Sequence, residues 1–138
     1  MEKLKLLFSH KPCDVYYNPE LNAVETSWKG PSAEGPLLYE ILDSIIEAMK
    51  QTGSGTVIAD ARKMNVINNA DIQWISENWY PRALAAGFRY EALVVTDYTF
   101  NTVSIKKIVR TYDDQKLTTA YFKTLPGAYA WVKNGFRD

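Results

Sequence analysis

The chain has 138 residues, 46% of them apolar and 23% charged, which is enough for one domain to bury a core without a disulfide or metal staple and which excludes a disordered chain. Lysine plus arginine equals aspartate plus glutamate at 16 each, so no net field steers the protein to nucleic acid or anionic lipid. Cys13 and His10 are the sole cysteine and histidine, which excludes an internal disulfide and the common Cys/His zinc sites and points to a reducing cytoplasm.

Near the N-terminus Leu4, Leu6, Leu7 and Phe8 form the only apolar run, too short for an export signal or a membrane span. No repeat and no long Pro/Gly/Ser tract divides the chain, so a single domain over residues 1–138 is expected. Lys3 to Phe8, Cys13 to Tyr17 and Ala23 to Trp28 read as strands, with residues 18–22 as a hairpin turn in which Pro19 fixes φ at the second position.

From Leu37 the period changes. Leu37, Leu38, Ile41, Leu42, Ile45, Ile46 and Met49 recur on one helical face, opposite Glu40, Asp43, Glu47 and Lys50, and Gly53 to Gly55 stops the helix. Thr56 to Ala59 is a short uninterrupted apolar run of the kind found in strands covered on both faces, and Asp60 marks its polar end. A second helix is predicted from an Asx cap near Asn69, with Ile72, Ile75, Trp79, Ala83 and Ala86 as its core stripe and Gly87 as a left-handed C-cap. Pro81 removes one helical hydrogen bond and predicts a kink over residues 77–81.

Ala92 to Val95 is a second buried-strand run, Ile105, Ile108, Val109 and Tyr112 outline a third helix, and Thr119 to Phe122 is a last strand. Thr124 caps a final helix carrying Ala128, Trp131 and Val132, with Pro126 in its first turn and Gly135 beyond its end. The alternation of helix and strand after an extended region predicts an α/β fold: a small mixed sheet with an N-terminal β-hairpin and a parallel core, and about four helices packed on it.

In open α/β sheets ligands meet the loops beyond the carboxyl ends of the strands, which directs attention to residues 60–71 and 96–101. The candidate binding residues are Asp60, Arg62, Asn68, Asn69, Asp71, Trp74, Trp79, Tyr80, Arg82 and Tyr98. Arg62 or Arg82 would hold an anion beside the flat wall of Trp74. The same residues also suit structural uses, with Arg62 paired to Asp60 or Asp71 and the tryptophans filling the core. No catalytic group is assigned: His10 is remote from any acidic loop and Cys13 has no activating motif. Asp60, Asp71 and Asp97 match no calcium-loop spacing, and neither Gly53-Ser54-Gly55 nor Gly30-Pro31 belongs to a phosphate-binding glycine pattern, so no metal and no cofactor is expected. Lys106, Lys107 and Arg110 are offset by Asp113 and Asp114 and read as a solvated helix face, not a nucleic-acid patch.

The stretch VIADARKMNVINNADIQWISENWYPRALAAGFR, following a β-hairpin and a helix, resembles the STAS-like (SpoIIAA-like) proteins, fold relatives of the bacterial anti-sigma-factor antagonists. The resemblance spans Val24 to Val132 and is carried most specifically by Asp60-x-Arg62 with Trp74, Pro81, Arg82 and Gly87. It implies a non-catalytic cytoplasmic regulatory module that contacts a protein partner, or a second copy of itself, through the loop and helix start from Asn68 to Trp74. The antagonists carry a phosphorylatable Ser or Thr at that helix start. This chain has residues 66–71 as VINNAD, with no hydroxyl and with a carboxylate already in place, so the phosphorylation switch does not carry over. Trp79, Tyr80 and Tyr98 are then expected as exposed aromatic anchors. The alternative is a small-molecule domain, lipid-like or anionic in ligand, with a pocket near Arg62 and Trp74 under the kinked helix. The third reading, an enzyme with Asp60 or Asp71 as general base, needs a perturbed carboxylate in a cleft.

Overall fold

The computed structural model describes residues 3–30, 33–64, 67–96, 106 and 116–137. Its strands are β1 (Lys5–Ser9), β2 (Cys13–Asn18), β3 (Ala23–Trp28), β4 (Thr56–Asp60), β5 (Tyr90–Val94) and β6 (Thr118–Phe122). They form one six-stranded sheet whose spatial order follows the sequence. β1, β2 and β3 are antiparallel, whereas β3, β4, β5 and β6 run parallel. The fold is therefore α/β with an N-terminal antiparallel hairpin region and a parallel core.

The apolar runs of β4 and β5 have the origin that their composition suggests. Val57 and Ala59 join one core cluster on one face of the sheet, while Ile58 joins a second cluster on the other. In β5 Leu93 faces the first cluster, and Ala92 and Val94 face the second. Each strand is covered on both faces, so alternation of polar and apolar residues is suppressed.

α1 (Gly35–Thr52) packs the first face through Leu38, Ile41, Ile45, Ala48 and Met49. It ends where Gly53, at φ +73°, donates its N–H to the Met49 carbonyl at 2.8 Å, a left-handed cap that a side chain would strain. Leu37, expected in the buried stripe, is 42% exposed, whereas Leu38 beside it is fully buried, so the stripe runs from Leu38 and Leu37 lies off it.

The second helix is continuous but not uniform: α2 (Asn69–Trp74), a π-helical segment (Ile75–Trp79) and α3 (Tyr80–Ala85). The cap is Asn68, one residue earlier than expected, and its Oδ1 accepts from the Asp71 N–H at 2.8 Å. Over the residues just before Pro81 the helix takes this wider turn, in which the Tyr80 N–H donates to the Ile75 carbonyl five residues back. Widening the turn just before the proline relieves its ring of the carbonyl that an α-helix would place against it. Gly87, at φ +107°, and the Phe88 N–H to Ala83 carbonyl bond of 3.0 Å close the helix.

α4 (Leu125–Lys133) covers the opposite face with Ala128, Trp131 and Val132. Thr124 Oγ1 accepts from the Gly127 N–H at 3.2 Å, with Pro126 in the first turn. Three helices are bounded among the described residues, α1, the continuous α2–α3 and α4, and of the helix expected from Ile105 to Tyr112 only Lys106 is described.

Candidate functional site

The loop after β4 gathers most of the charges singled out from the sequence, and each already has a partner. Arg62 forks onto its neighbour, with Nε to Asp60 Oδ1 and Nη2 to Asp60 Oδ2 both at 2.8 Å. The hydrogen bonds from Arg62, opposed by partial burial, hold the Asp60 carboxyl below its ordinary range.

Asp71 is 3% exposed and is consumed by structure. Its carboxylate accepts from Tyr39 Oη at 2.6 Å, the Gly35 N–H at 3.1 Å and Asn68 Nδ2 at 3.1 Å, tying the start of α1 to the start of α2. Asn69 is exposed beside this cap.

Trp74 is half-buried and stacks on Tyr39 with ring centroids 3.8 Å apart. The Arg82 guanidinium lies 5.6 Å from its ring centroid and also meets Asn78 and Asp43, at 2.8 and 2.7 Å. Asp60, Arg62, Asp71, Trp74 and Arg82 therefore do not converge on one empty anion site. Tyr98 and Asp97 lie outside the described residues.

Trp79 and Tyr80 are buried at 4% and 5% exposure, which corrects the reading of both as exposed anchors and agrees with the place of Trp79 in the core stripe of the second helix. Trp79 donates Nε1–H to the Leu42 carbonyl at 2.7 Å, and the Tyr80 hydroxyl donates to both oxygens of Glu91 at 3.0 Å. Each aromatic found an interior partner for its polar end, and with that partner made the ring is most stable inside.

These two rings form part of the wall of a cavity of about 80 Å³ between the sheet and the helices. The sheet supplies Thr26, Val57, Ala59, Glu91 and Leu93, and α1 supplies Leu42 and Ile45. The π segment contributes Ile75 and Trp79, and at the carboxyl end of the strands stand Trp28, Ala61, Met64 and Ile67. The space has a local cause. Ala59 sits in register between Thr26 of β3 and Leu93 of β5, and two alanines in this stretch, Ala59 and Ala61, place little bulk beneath a helix whose turn is widened. Thr26 is fully buried, and its Oγ1 has no hydrogen-bond partner. The expected pocket was placed against Arg62 and Trp74, but neither lines the cavity.

Glu91 and Thr26 were missed in the sequence. The signal for Glu91 lay in strand alternation: beginning β5 at Tyr90 puts Glu91 on the same face as Leu93. Thr26 gives no such signal, since threonine is an ordinary strand residue.

On the other face Glu25 is also buried. It accepts from Tyr129 Oη at 2.7 Å and from Asn18 Nδ2 at 3.3 Å. Burial raises its carboxyl above the ordinary range against these two hydrogen bonds, and burial followed by the bond to Glu25 raises the Tyr129 hydroxyl. Cys13 is buried with its thiol pushed up to about 12, chiefly by burial, which leaves it without thiolate character at neutral pH. His10 Nε2 lies 3.2 Å from Ser44 Oγ, between the β1–β2 turn and α1.

Among the described residues no group of three or more His, Cys, Asp or Glu is placed to hold a metal ion, and no helix is long and apolar enough to cross a membrane. The chain matches no family model, no curated protein and no solved structure.

Proposed function

We propose that the chain is a non-catalytic, small-molecule-binding domain of STAS-like layout, with its ligand seated between β3–β5 and the helices α1 and α2–α3. One observation carries the reading: an 80 Å³ cavity walled by aromatic and aliphatic side chains that includes a fully buried threonine whose hydroxyl has no partner. A mostly apolar space with a few placed polar groups is the usual composition of a ligand pocket. The bordering π segment supports it, because such turns recur at functional sites. So does the presence of Met64 and Ile67, which follow the carboxyl end of β4, in its lining, since ligands of open α/β sheets sit beyond the carboxyl ends of parallel strands. Asp60 and Asp71, the candidate bases of the enzyme reading, are engaged in an ion pair and a helix cap.

The test pairs native mass spectrometry of gently purified protein with methyl NMR under xenon pressure. A copurifying small molecule, or xenon-induced shifts at Ile45 and Ile75 that vanish in Ala59→Val, is the expected result. Absence of both removes the reading.

A second reading, contact with a protein partner, is supported by the half-buried Trp74 of α2, stacked on Tyr39 of α1 and flanked by Arg82 of α3. Half-exposed aromatic and arginine clusters suit interface anchors. Concentration-dependent self-association by sedimentation that Trp74→Ala abolishes supports it, and a monomer unaffected by that change counts against it.

A further inference from the structure

Glu25, Asn18 and Tyr129 meet on the sheet face opposite the cavity, and the binding reading makes no use of them. We infer that this junction is a proton-operated latch: α4 sits docked on the sheet while Glu25 carries a proton, and opens from it more readily once Glu25 ionises.

Glu25 stands in the middle of β3, in register with Tyr16 of β2 and Ile58 of β4, and is 6% exposed. Its carboxyl meets Tyr129 Oη at 2.7 Å and Asn18 Nδ2 at 3.3 Å. Among the described residues the Tyr129 contact is the one side-chain hydrogen bond from α4 to the sheet, and Ala128, Trp131 and Val132 supply the helix's buried apolar contacts. A nine-residue helix held by so few ties is of the kind that opens locally, without the whole fold.

The protonation state of Glu25 sets how well that docking is tolerated. A neutral acid keeps both contacts, since either oxygen of the Tyr129–Glu25 pair can donate to the other. An ionised carboxylate is a charge shut between strand and helix with only neutral donors. On β4 Asp60 adds a like charge, and Arg62 is closed on Asp60. On β2 the Tyr16 phenol bonds to Asp14, whose cation is Lys29. Lys3, Glu20 and Lys133 line a groove with Asn18 and Tyr129, and neither lysine is paired to Glu25. Burying a charge without an opposite partner is strongly unfavourable. In keeping with this, burial raises the Glu25 carboxyl against its two hydrogen bonds, and the Asp60 charge adds to the rise. Lifting α4 wets the carboxylate, so ionisation and opening favour each other. The surface uncovered is apolar: Ile58, Ala92 and Val94 of the sheet and Trp131 of the helix.

Native-state hydrogen exchange on the full chain tests the latch, with protection corrected for intrinsic rates and followed in α4 and in the central strand β4 from pH about 4 to about 8, upward from the ordinary glutamate range. In wild type the α4 amides are expected to be less protected than those of β4, to respond little to sub-denaturing urea, and to lose protection at least about threefold as pH rises. Glu25→Gln keeps both hydrogen bonds without a charge and should hold α4 protection within about twofold across the range. His10, beside Ser44 of α1 on the other face, is unchanged in that variant, so the comparison assigns the fall to Glu25. Tyr129→Phe removes a donor that favours the ionised form, so the fall should extend to higher pH, whereas a merely structural tie would lower α4 protection by the same factor at every pH. Wild-type α4 that exchanges only together with β4, α4 protection that is flat with pH, or an equal fall in Glu25→Gln overturns the latch.

Discussion

Replacing Thr26 by valine exchanges a hydroxyl for a methyl at nearly constant shape and keeps the β-branch that suits a strand. In the native sheet the residue is fully buried and its Oγ1 has no partner, so folding strips water from a polar group and returns nothing. An unsatisfied buried donor or acceptor costs about 1–3 kcal/mol, and the substitution is expected to recover that amount as added stability. For a chain of this length each kcal/mol moves the melting temperature by about 3–5 °C, so a rise of about 3–15 °C is anticipated. Urea unfolding followed by tryptophan fluorescence should show the midpoint moving up with the slope unchanged, the mark of a native-state effect. Thr26→Ser is the control, because it keeps the hydroxyl and deletes the methyl, and it should lose about 1 kcal/mol. If valine destabilises the protein as much as serine does, the hydroxyl is satisfied in solution and the argument from an orphaned Oγ1 is wrong.

Gly55→Ala should destabilise by about 1–3 kcal/mol as overpacking, because its Cβ would stand 2.4 Å from the Gly87 carbonyl oxygen where β4 begins beside the turn into β5; a melting temperature within 2 °C of wild type on the order of the scan's own scatter would contradict it. Asp71→Ala should lose about 1–3 kcal/mol, since it strands the Tyr39 hydroxyl and the Gly35 N–H at the junction of α1 and α2, and the near-ultraviolet signal of the Tyr39–Trp74 stack should weaken with it. Glu25 gives a pH prediction. Its folded carboxyl titrates above its unfolded value, mainly through burial, so its favourable contribution is complete below the unfolded pKa and is lost as pH rises through the folded one. Glu25→Gln should therefore gain on wild type as pH climbs from the ordinary carboxylate range toward neutrality, measured by urea unfolding at several pH values; a gap that stays constant or narrows refutes the sign.

Much of the scaffold was legible because local rules and tertiary demands agree. The strand pair of β4 and β5 was readable as two apolar runs since both of their faces are covered, and α1 since its stripe meets one sheet face over four turns. Thr124 and Gly87 announced their caps by residue type alone. The site was less legible for a physical reason: it is made of contacts between elements. Tyr80 looked like a surface anchor, and Trp79 fitted both an anchor and the core stripe, because aromatic type says nothing about whether a polar tip has a partner inside, and those partners, Glu91 and the Leu42 carbonyl, lie 11 and 37 residues away. For Arg62 residue type allowed an anion or a carboxylate neighbour, Asp60 or Asp71, and only the folded loop shows that its fork closes on the carboxylate two residues before it. The cavity is the sum of small residues at Ala59 and Ala61, a proline relieved by a π turn and one threonine, and none of these is unusual alone.

The stability that Thr26→Val is expected to add is the strongest argument for a binding role. A hydroxyl retained only for folding should stabilise the sheet, yet this one makes no hydrogen bond among the described residues and an apolar isostere would fit the same space. A residue that lowers stability in this way suits a site where a ligand supplies the missing partner. With a ligand bound at a concentration of 100 times its Kd, the protein would gain about 2.7 kcal/mol, comparable to the ~1–3 kcal/mol that the orphaned hydroxyl forfeits. Wild type saturated with ligand should then approach the stability of the ligand-free valine variant, while that variant gains less from the same ligand. Thermal unfolding of both proteins with and without the copurifying small molecule measures the two gains side by side, and equal gains would separate the hydroxyl from binding.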